Sequence, residues 1–295
     1  MNGMVLDILD KIRAVIPTCP AQQRKVGIFI CEHPEVLGLL SLADFAERIG
    51  VSRPTVTRFC RALGYAGFLE FSRSVQRVIE KEISHAGFFR HAYAQNAADP
   101  ARGGTAQAVV ERDMLNMHKL LSNYPAENIQ TCVARMCAAS SISVLGRMSA
   151  YPLAVYFEQL LAKISAKVVP LSGSEVMQAA ALSRMDGESL VFCLAFPRYA
   201  RATIELALEA KERGAALVGI TNSEFSPLAA LSDILFTLDV EIVSYIDLMG
   251  PVMALINVLC VEFGQAQYEE TEASLRRYDR LVESAFFLPG NPRRR

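Results

Sequence analysis

Tryptophan is absent from this 295-residue chain, histidine occurs only four times, and the seven cysteines form no C-x-x-C pair. The histidines and cysteines are scattered, so no metal-ligand set takes shape, and no metal or other cofactor is expected. His85 and His91 read as surface residues, with no acid or second ligand placed to use them. An odd number of thiols in apolar surroundings reads as small buried hydrophobes in a reducing compartment. No apolar run approaches the length that spans a bilayer. The start, MNGMVLDILDKIR, is amphipathic and acidic and lacks a signal-peptide core. A cytoplasmic protein with no membrane partner is expected. Catalytic signatures are missing too: there is no Walker loop, no G-x-G-x-x-G, no nucleophile elbow and no paired acids at a strand end. Asp186, Asp233 and Asp239 flank strands and suit turns and caps. The net charge of -1 excludes a globally basic nucleic-acid binder.

A local basic face is present. Between Ser41 and Arg77 six arginines stand against Asp44, Glu47 and Glu70. Inside this segment, LADFAERIGVSRPTVTRFCRALG (42–64) has the spacing of a helix-turn-helix. Ala46 is small, as a close helix crossing requires. Gly50 supplies the left-handed turn without a Cβ penalty, and Val56 fills the wedge. Ser41 and Ser52 stand at N-cap positions, Pro54 falls in a first turn, and Gly64 stands where a glycine stops a helix. A 3.6-residue period buries Val56, Phe59, Cys60 and Leu63. It turns Pro54, Arg58 and Arg61 outward, flanked by Thr55 and Thr57, with Arg53 and Ser52 at the start. Arginine bonds guanine O6 and N7 in bidentate fashion, and threonine reaches base edges or phosphates. The expected DNA-binding residues are Ser52, Arg53, Thr55, Thr57, Arg58 and Arg61. An αα-hairpin in a plain bundle accounts for Ala46 and Gly50 but not for an outer face without acids.

Around this segment, helices are expected at 4–16 and 21–32, with Val26, Phe29 and Ile30 packing on the helix-turn-helix, and again from about Phe68. Arg73 and Arg77 of that last helix would lie near DNA phosphates. The helical domain closes at residue 85, and 86–104 has linker composition. From Thr105 the pattern alternates. Helices are expected at 105–122, 125–138, 150–164, 174–184, 201–213, 226–231, 246–265 and 267–287. Short apolar strands fall at 141–146, 167–171, 189–196, 215–221 and 233–238. Such alternation implies a parallel sheet covered on both faces. The fold class is therefore α + α/β: an all-helical helix-turn-helix domain (1–85), a linker (86–104) and a parallel-sheet α/β sandwich (105–287).

Ligands of such sheets bind beyond the carboxyl ends of the strands, at helix N-termini that attract anions. Three strand ends carry candidates: Arg147 and Ser149; Arg198 and Tyr199, with Arg201 nearby; and Thr221, followed by Ser226. Capping is an equal reading for Ser226, which precedes Pro227.

Two blocks carry a family likeness: VSRPTVTRFCRALGYAGFLEFS (51–72) and AKERGAALVGITNSEFSPLAALSD (210–233). The whole chain resembles the RpiR-type transcriptional regulators, which join an N-terminal helix-turn-helix to a sugar isomerase (SIS) domain. The resemblance implies operator binding modulated by a small ligand, often a sugar phosphate. It departs at two places. The second glycine of the G-x-G-x-S phosphate turn is Met148, with Ala150 in the serine slot. The hydroxyl-rich second phosphate loop corresponds to residues 195–200, AFPRYA.

The expected function is a DNA-binding transcriptional regulator, not an enzyme, controlled by a sugar phosphate or other anionic metabolite bound in the SIS domain. Its expected partners are double-stranded operator DNA, that small-molecule effector, and further copies of itself as a homodimer or homotetramer. The alternative is a SIS-fold sugar-phosphate isomerase or lyase whose helical domain only assists assembly.

Overall fold

The computed structural model describes residues 11–32, 41–82, 104–171, 174–197, 199–224, 226–240, 242–243 and 245–283, together with Ala86, Phe89 and Tyr93. The expected linker and residues His85, His91 and Arg198 fall almost wholly or wholly outside this set. The chain divides into two compact units. The first takes Met1–Leu115 with the short segments 225–227 and 240–248; the second takes the remainder.

The first unit is helical. Residues 11–15 end in a 3₁₀ turn, Ile16–Thr18, and α1 (Ala21–Glu32), α2 (Leu42–Ile49), α3 (Arg53–Ala62) and α4 (Phe68–Glu82) follow. Local chemistry sets these boundaries. The Ser41 hydroxyl accepts from the Asp44 amide at 3.2 Å and caps α2. Gly50 closes α2 at φ 70°, where the Gly50 and Val51 amides donate to Glu47 and Ala46. Gly64 repeats the device after α3 at φ 91°, with the Gly64 and Tyr65 amides donating to Arg61 and Cys60. Both glycines thus take the left-handed conformation that the sequence demands of them.

The core of this unit gathers Ile12, Val26, Ile30, Phe45, Ala46, Val56, Phe59 and Phe71. Phe29 meets Phe45 edge-on with centroids 5.7 Å apart. The expected packing of Val26, Phe29 and Ile30 is therefore present. One contact was not foreseen: α1 crosses α3 so closely that a Cβ on Gly27 would lie 2.5 Å from Ile16 Cγ1 and 2.9 Å from Phe59 Cζ.

The chain then enters α5 (Gly104–Ser122) and α6 (Ala126–Ala138). The second unit holds a four-stranded parallel sheet, β1 (Ser141–Gly146), β2 (Ser189–Leu194), β3 (Ala216–Thr221) and β4 (Ile234–Thr237), in sequential order. Between them lie α7 (Tyr151–Ile164), α8 (Glu175–Leu182) and α9 (Arg201–Glu212). A short antiparallel hairpin, β5 (Ile242–Val243) and β6 (Ile246–Asp247), precedes α10 (Gly250–Ala266) and α11 (Tyr268–Val282).

β1, β2 and β3 are almost wholly buried, as a doubly covered sheet requires, while the edge strand β4 buries only Ile234 and Phe236. Alternate residues serve opposite faces. Leu145, Val191, Cys193 and Leu217 share a cluster with Ala207 and Ala210 of α9 and Ala181 and Leu182 of α8. Phe192 turns the other way and meets Phe157 of α7 at 4.8 Å. On that side α10 packs against α6 and α7.

Several expected elements are shorter or different. The strand expected at 167–171 survives only as a bridge between Val168 and Ile142, with Ile142 exchanging one hydrogen bond each with Lys167 and Val169. The helix expected from 246 starts at Gly250, because Pro251 fixes its first turn. The residues before it instead form the β5–β6 hairpin. The helix expected at 226–231 is a 3₁₀ turn, Ala229–Leu231. Among the described residues there is no helix long and apolar enough to cross a membrane.

All seven cysteines are free thiols. Burial pushes those of Cys60, Cys132, Cys193 and Cys260 up to about 12, so they stay protonated and serve as apolar packing. Asp233 works as a clasp. Its carboxylate accepts from the Leu217 amide at 2.8 Å and from Lys211 Nζ at 2.6 Å, joining α9, β3 and the entry to β4. Burial raises its pKa. The Lys211 and Leu217 bonds and the charges of Lys211 and Arg135 outweigh that effect and hold it below the ordinary value.

Candidate nucleic-acid interface and effector site

The surface of α3 follows from its composition. It has no acid in its first turn, and Pro54 occupies an early position where a missing N–H costs little. Val56, Phe59 and Cys60 are buried, while Arg53, Pro54, Arg58 and Arg61 are exposed. The outward face is therefore basic and faces solvent.

Its side chains are partly organised before any ligand arrives. Ser52 stands at the N-cap position, but its hydroxyl caps no amide; it bonds the Thr55 hydroxyl at 2.8 Å. Thr55 in turn accepts from Arg58 Nη2 at 3.3 Å. Arg61 Nε donates to the Ala66 carbonyl at 3.2 Å, which leaves its terminal nitrogens directed away from that bond. Thr57 Oγ1 donates to the Arg53 carbonyl at 3.1 Å. Thr55 differs from the expectation for a base reader. It is only 6% exposed, so its hydroxyl tethers Arg58 rather than reaching outward. The helical wheel put it at the border of the two faces, and a one-carbon hydroxyl fits either side.

In the second unit the sheet ends in one row. Gly146 pairs with Leu194, Leu194 with Ile220, and Thr221 with Thr237. Arg147, Ala195, Thr221 and Thr237 thus stand at the carboxyl ends of adjacent strands. After β1 the chain turns tightly, because a Cβ on Gly146 would lie 2.9 Å from the Ala150 carbonyl oxygen and 3.0 Å from Ala154 Cβ. Met148 takes φ 56° there, the left-handed region that glycine adopts freely and other residues rarely. Its side chain is 77% exposed, and Ser149 beside it is exposed as well.

Three polar atoms at this end are buried with no hydrogen-bond partner: Arg147 Nε, Thr203 Oγ1 and Thr221 Oγ1. Arg147 follows β1, Thr203 lies in the first turn of α9 after β2, and Thr221 ends β3. Thr203 was not foreseen. The loop before it has lost its hydroxyls, and this one lies three residues beyond it, inside a run that reads as plain helix. The Tyr199 hydroxyl donates to Asn222 Oδ1 at 2.8 Å and ties the loops after β2 and β3 together. Beyond Asn222 a polar cavity of about 340 Å³ opens against the end of α5, lined also by Lys119, Asn123, Asn128, Thr237 and Asp239. Lys119 and Asp239 approach to 3.6 Å there.

The structure thus groups Arg147, Ser149, Tyr199 and Thr221 at one end of the sheet. Arg198 lies outside the described residues. Ser226 is buried and belongs to the short segment 225–227 of the first unit. No group of three or more potential metal ligands occurs among the described residues.

Known proteins match both halves of the chain. The helix-turn-helix domain of the rpiR family matches residues 6–82, and the SIS domain matches residues 136–261. The transcriptional regulator HexR of Pseudomonas aeruginosa is 25% identical over 255 residues, covering 86% of this chain and 86% of its own. HexR of Escherichia coli is 23% identical over 288 residues, covering 95% and 96%. The structure of Vibrio vulnificus NanR complexed with ManNAc-6P superposes with a TM-score of 0.64 at 18% identity, over 95% of this chain and all of that one. The sugar isomerase domain of an RpiR transcription factor from Sphaerobacter thermophilus gives a TM-score of 0.56 at 24% identity, over 59% of this chain and 98% of its own. These two structures bear on the fold. Both HexR relatives are transcriptional regulators and are matched along most of their length. The chain belongs to the RpiR-type transcriptional regulators, a helix-turn-helix DNA-binding region of the rpiR family followed by a SIS domain.

Proposed function

We propose that this regulator reads its operator with the outward face of α3 and is switched by a small anionic metabolite at the carboxyl end of the SIS sheet. Arg58 is the leading base reader, since Thr55 pre-orients it and no acid pairs with it among the described residues. Arg61 and Thr57 flank it, and Arg53 at the helix start meets phosphate. The effector reading is carried by the three orphaned atoms, Arg147 Nε, Thr203 Oγ1 and Thr221 Oγ1. A buried polar atom without a partner costs about 1–3 kcal/mol, and three at one end of a sheet suit a bound group that would satisfy them.

Arg147 suits a phosphate or carboxylate, because guanidinium geometry matches both. NanR complexed with ManNAc-6P favours a phosphosugar, while the loss of the hydroxyl-rich loop keeps a carboxylate metabolite in view. A thermal-shift panel of sugar phosphates and small carboxylates tests the reading. A ligand present at 100 times its Kd stabilises the fold by about 2.7 kcal/mol. The same ligand must alter operator binding in a gel shift, and Thr203→Val with Thr221→Val must abolish both effects. A ligand whose shift survives both substitutions places the effector elsewhere. Turnover of aldose or aminosugar phosphates would favour the isomerase.

A further inference from the structure

Arg53, Arg58 and Arg61 stand on the outward face of α3, and the last two are held by hydrogen bonds within the unit. Arg58 leans on the Thr55 hydroxyl. Arg61 leans on backbone: its Nε donates at 3.2 Å to the carbonyl of Ala66, in the turn between α3 and α4. A guanidinium has two kinds of edge for paired hydrogen bonds, Nε with one terminal nitrogen, or the two terminal nitrogens together. The Ala66 bond occupies Nε, so Arg61 offers DNA its terminal edge.

Whatever fixes Ala66 decides where that edge points. Gly64, at φ 91°, turns the chain out of α3, and the Tyr65 amide donates back to the Cys60 carbonyl at 3.1 Å. The Tyr65 ring meets buried Phe71 of α4 edge-on with centroids 5.2 Å apart, and Lys11 Nζ lies 5.7 Å from its centre. Glu70, in the first turn of α4, completes the bracket: its Oε2 accepts from the Ala66 amide at 2.5 Å. A carboxylate on a backbone amide makes a charge-assisted bond, stronger than a neutral one. Ala66 thus receives Arg61 on its carbonyl while Glu70 holds its N–H. Arginine is rich in rotamers, and ordering it on contact with DNA opposes binding. A guanidinium ordered beforehand avoids that loss.

We propose that Glu70 is a positioning residue for DNA reading, fixing Arg61 through Ala66. This rests on the regulator reading above and adds to it a residue whose charge alone would count against DNA binding, since an acid repels phosphate. The chain Glu70–Ala66–Arg61 does for Arg61 what Ser52–Thr55–Arg58 does for Arg58.

A double-mutant cycle tests it, read by fluorescence anisotropy on a duplex that the wild-type chain selects from a random-sequence pool. Glu70→Ala weakens binding roughly three- to tenfold, although it removes a negative charge, and relaxes preference at the base pair that Arg61→Ala also affects. Glu70→Gln keeps an acceptor for the Ala66 amide and loses the charge, so it binds as tightly as wild type or more tightly. In an Arg61→Ala background Glu70→Ala changes affinity by less than about twofold, whereas in an Arg53→Ala background it keeps its full effect. Equal losses in every background would show that Glu70 only caps α4 and would overturn the proposal, as would wild-type affinity for Glu70→Ala. Circular dichroism melts check the fold of each variant. Should Glu70→Ala not fold, Glu70→Asp takes its place: it keeps an acid in the first turn of α4 but is one methylene short of the Ala66 amide. The same loss is expected of it, and undiminished binding overturns the proposal. A wild-type chain that selects no sequence from the pool counts against the regulator reading instead.

Discussion

Gly27 offers the sharpest test of how the DNA-reading helix is held. Its hydrogen faces Ile16 and the ring of Phe59, and a methyl there would sit 2.5 Å from Ile16 Cγ1 and 2.9 Å from Phe59 Cζ. Ordinary carbon contacts lie at about 3.5–4.0 Å, so Gly27→Ala must displace one neighbour by roughly 1 Å. Overpacking of this kind costs about 1–3 kcal/mol. Alanine returns about 0.5–1 kcal/mol, because glycine is the poorer helix former. The balance is a loss of about 0–2.5 kcal/mol, centred on about 1 kcal/mol, confined to the first unit. A urea titration followed by helical circular dichroism reads the change in midpoint. Phe59 is buried beside exposed Arg58, so the operator dissociation constant should rise with it. Ile16→Ala removes the nearer obstacle and should reverse part of the effect in the double variant. An unchanged or raised midpoint for Gly27→Ala would show that helix propensity wins and that the close crossing is no constraint. Single effects that add within about 0.5 kcal/mol would show that Ile16 is not the atom in the way.

Arg58→Ala should weaken operator binding by about 1–3 kcal/mol and relax base preference at one position. A titration across operator variants with unaltered preference would remove Arg58 from the readers, and Thr55→Val should reproduce a weaker form of the same defect. Asp233 predicts a pH dependence. Its pKa is held below the ordinary carboxylate value, so its stabilisation is present above about pH 4 and is lost as pH falls through the depressed folded value. Asp233→Asn should therefore lower the urea midpoint of the second unit at neutral pH. That gap should close in acid, and a gap independent of pH would refute the clasp.

Features determined within one helical turn were legible in the sequence. Gly50, Gly64 and the Ser41 cap answer to their own backbone, so spacing alone locates them. The strand cores were legible because a doubly covered sheet needs continuous apolar runs, as in residues 189–194. Features that depend on a distant neighbour were not. Gly27 is one residue in an ordinary helix until Phe59 crosses it. Thr203 looks like any helical threonine until the surrounding fold buries its hydroxyl without a partner. Ser52 and Thr55 were placed correctly along the helix, yet whether they cap, tether or read depends on which hydroxyl finds the other. Residues 167–171 have strand composition, but they lie at the edge of the sheet and only one bridge forms.

Met148 shows how one close approach fixes the backbone of a whole turn. A side chain in the left-handed region costs about 1–2 kcal/mol relative to ordinary backbone, and such strain persists only where the surroundings leave no other path. Here the close seating of Ala150 and Ala154 on Gly146 dictates the path, whichever residue stands at 148. The turn's backbone is therefore set by the contacts of Gly146 rather than by the side chain at 148. A change of side chain at 148 would therefore alter the exposed surface at this strand end and leave the course of the chain in place.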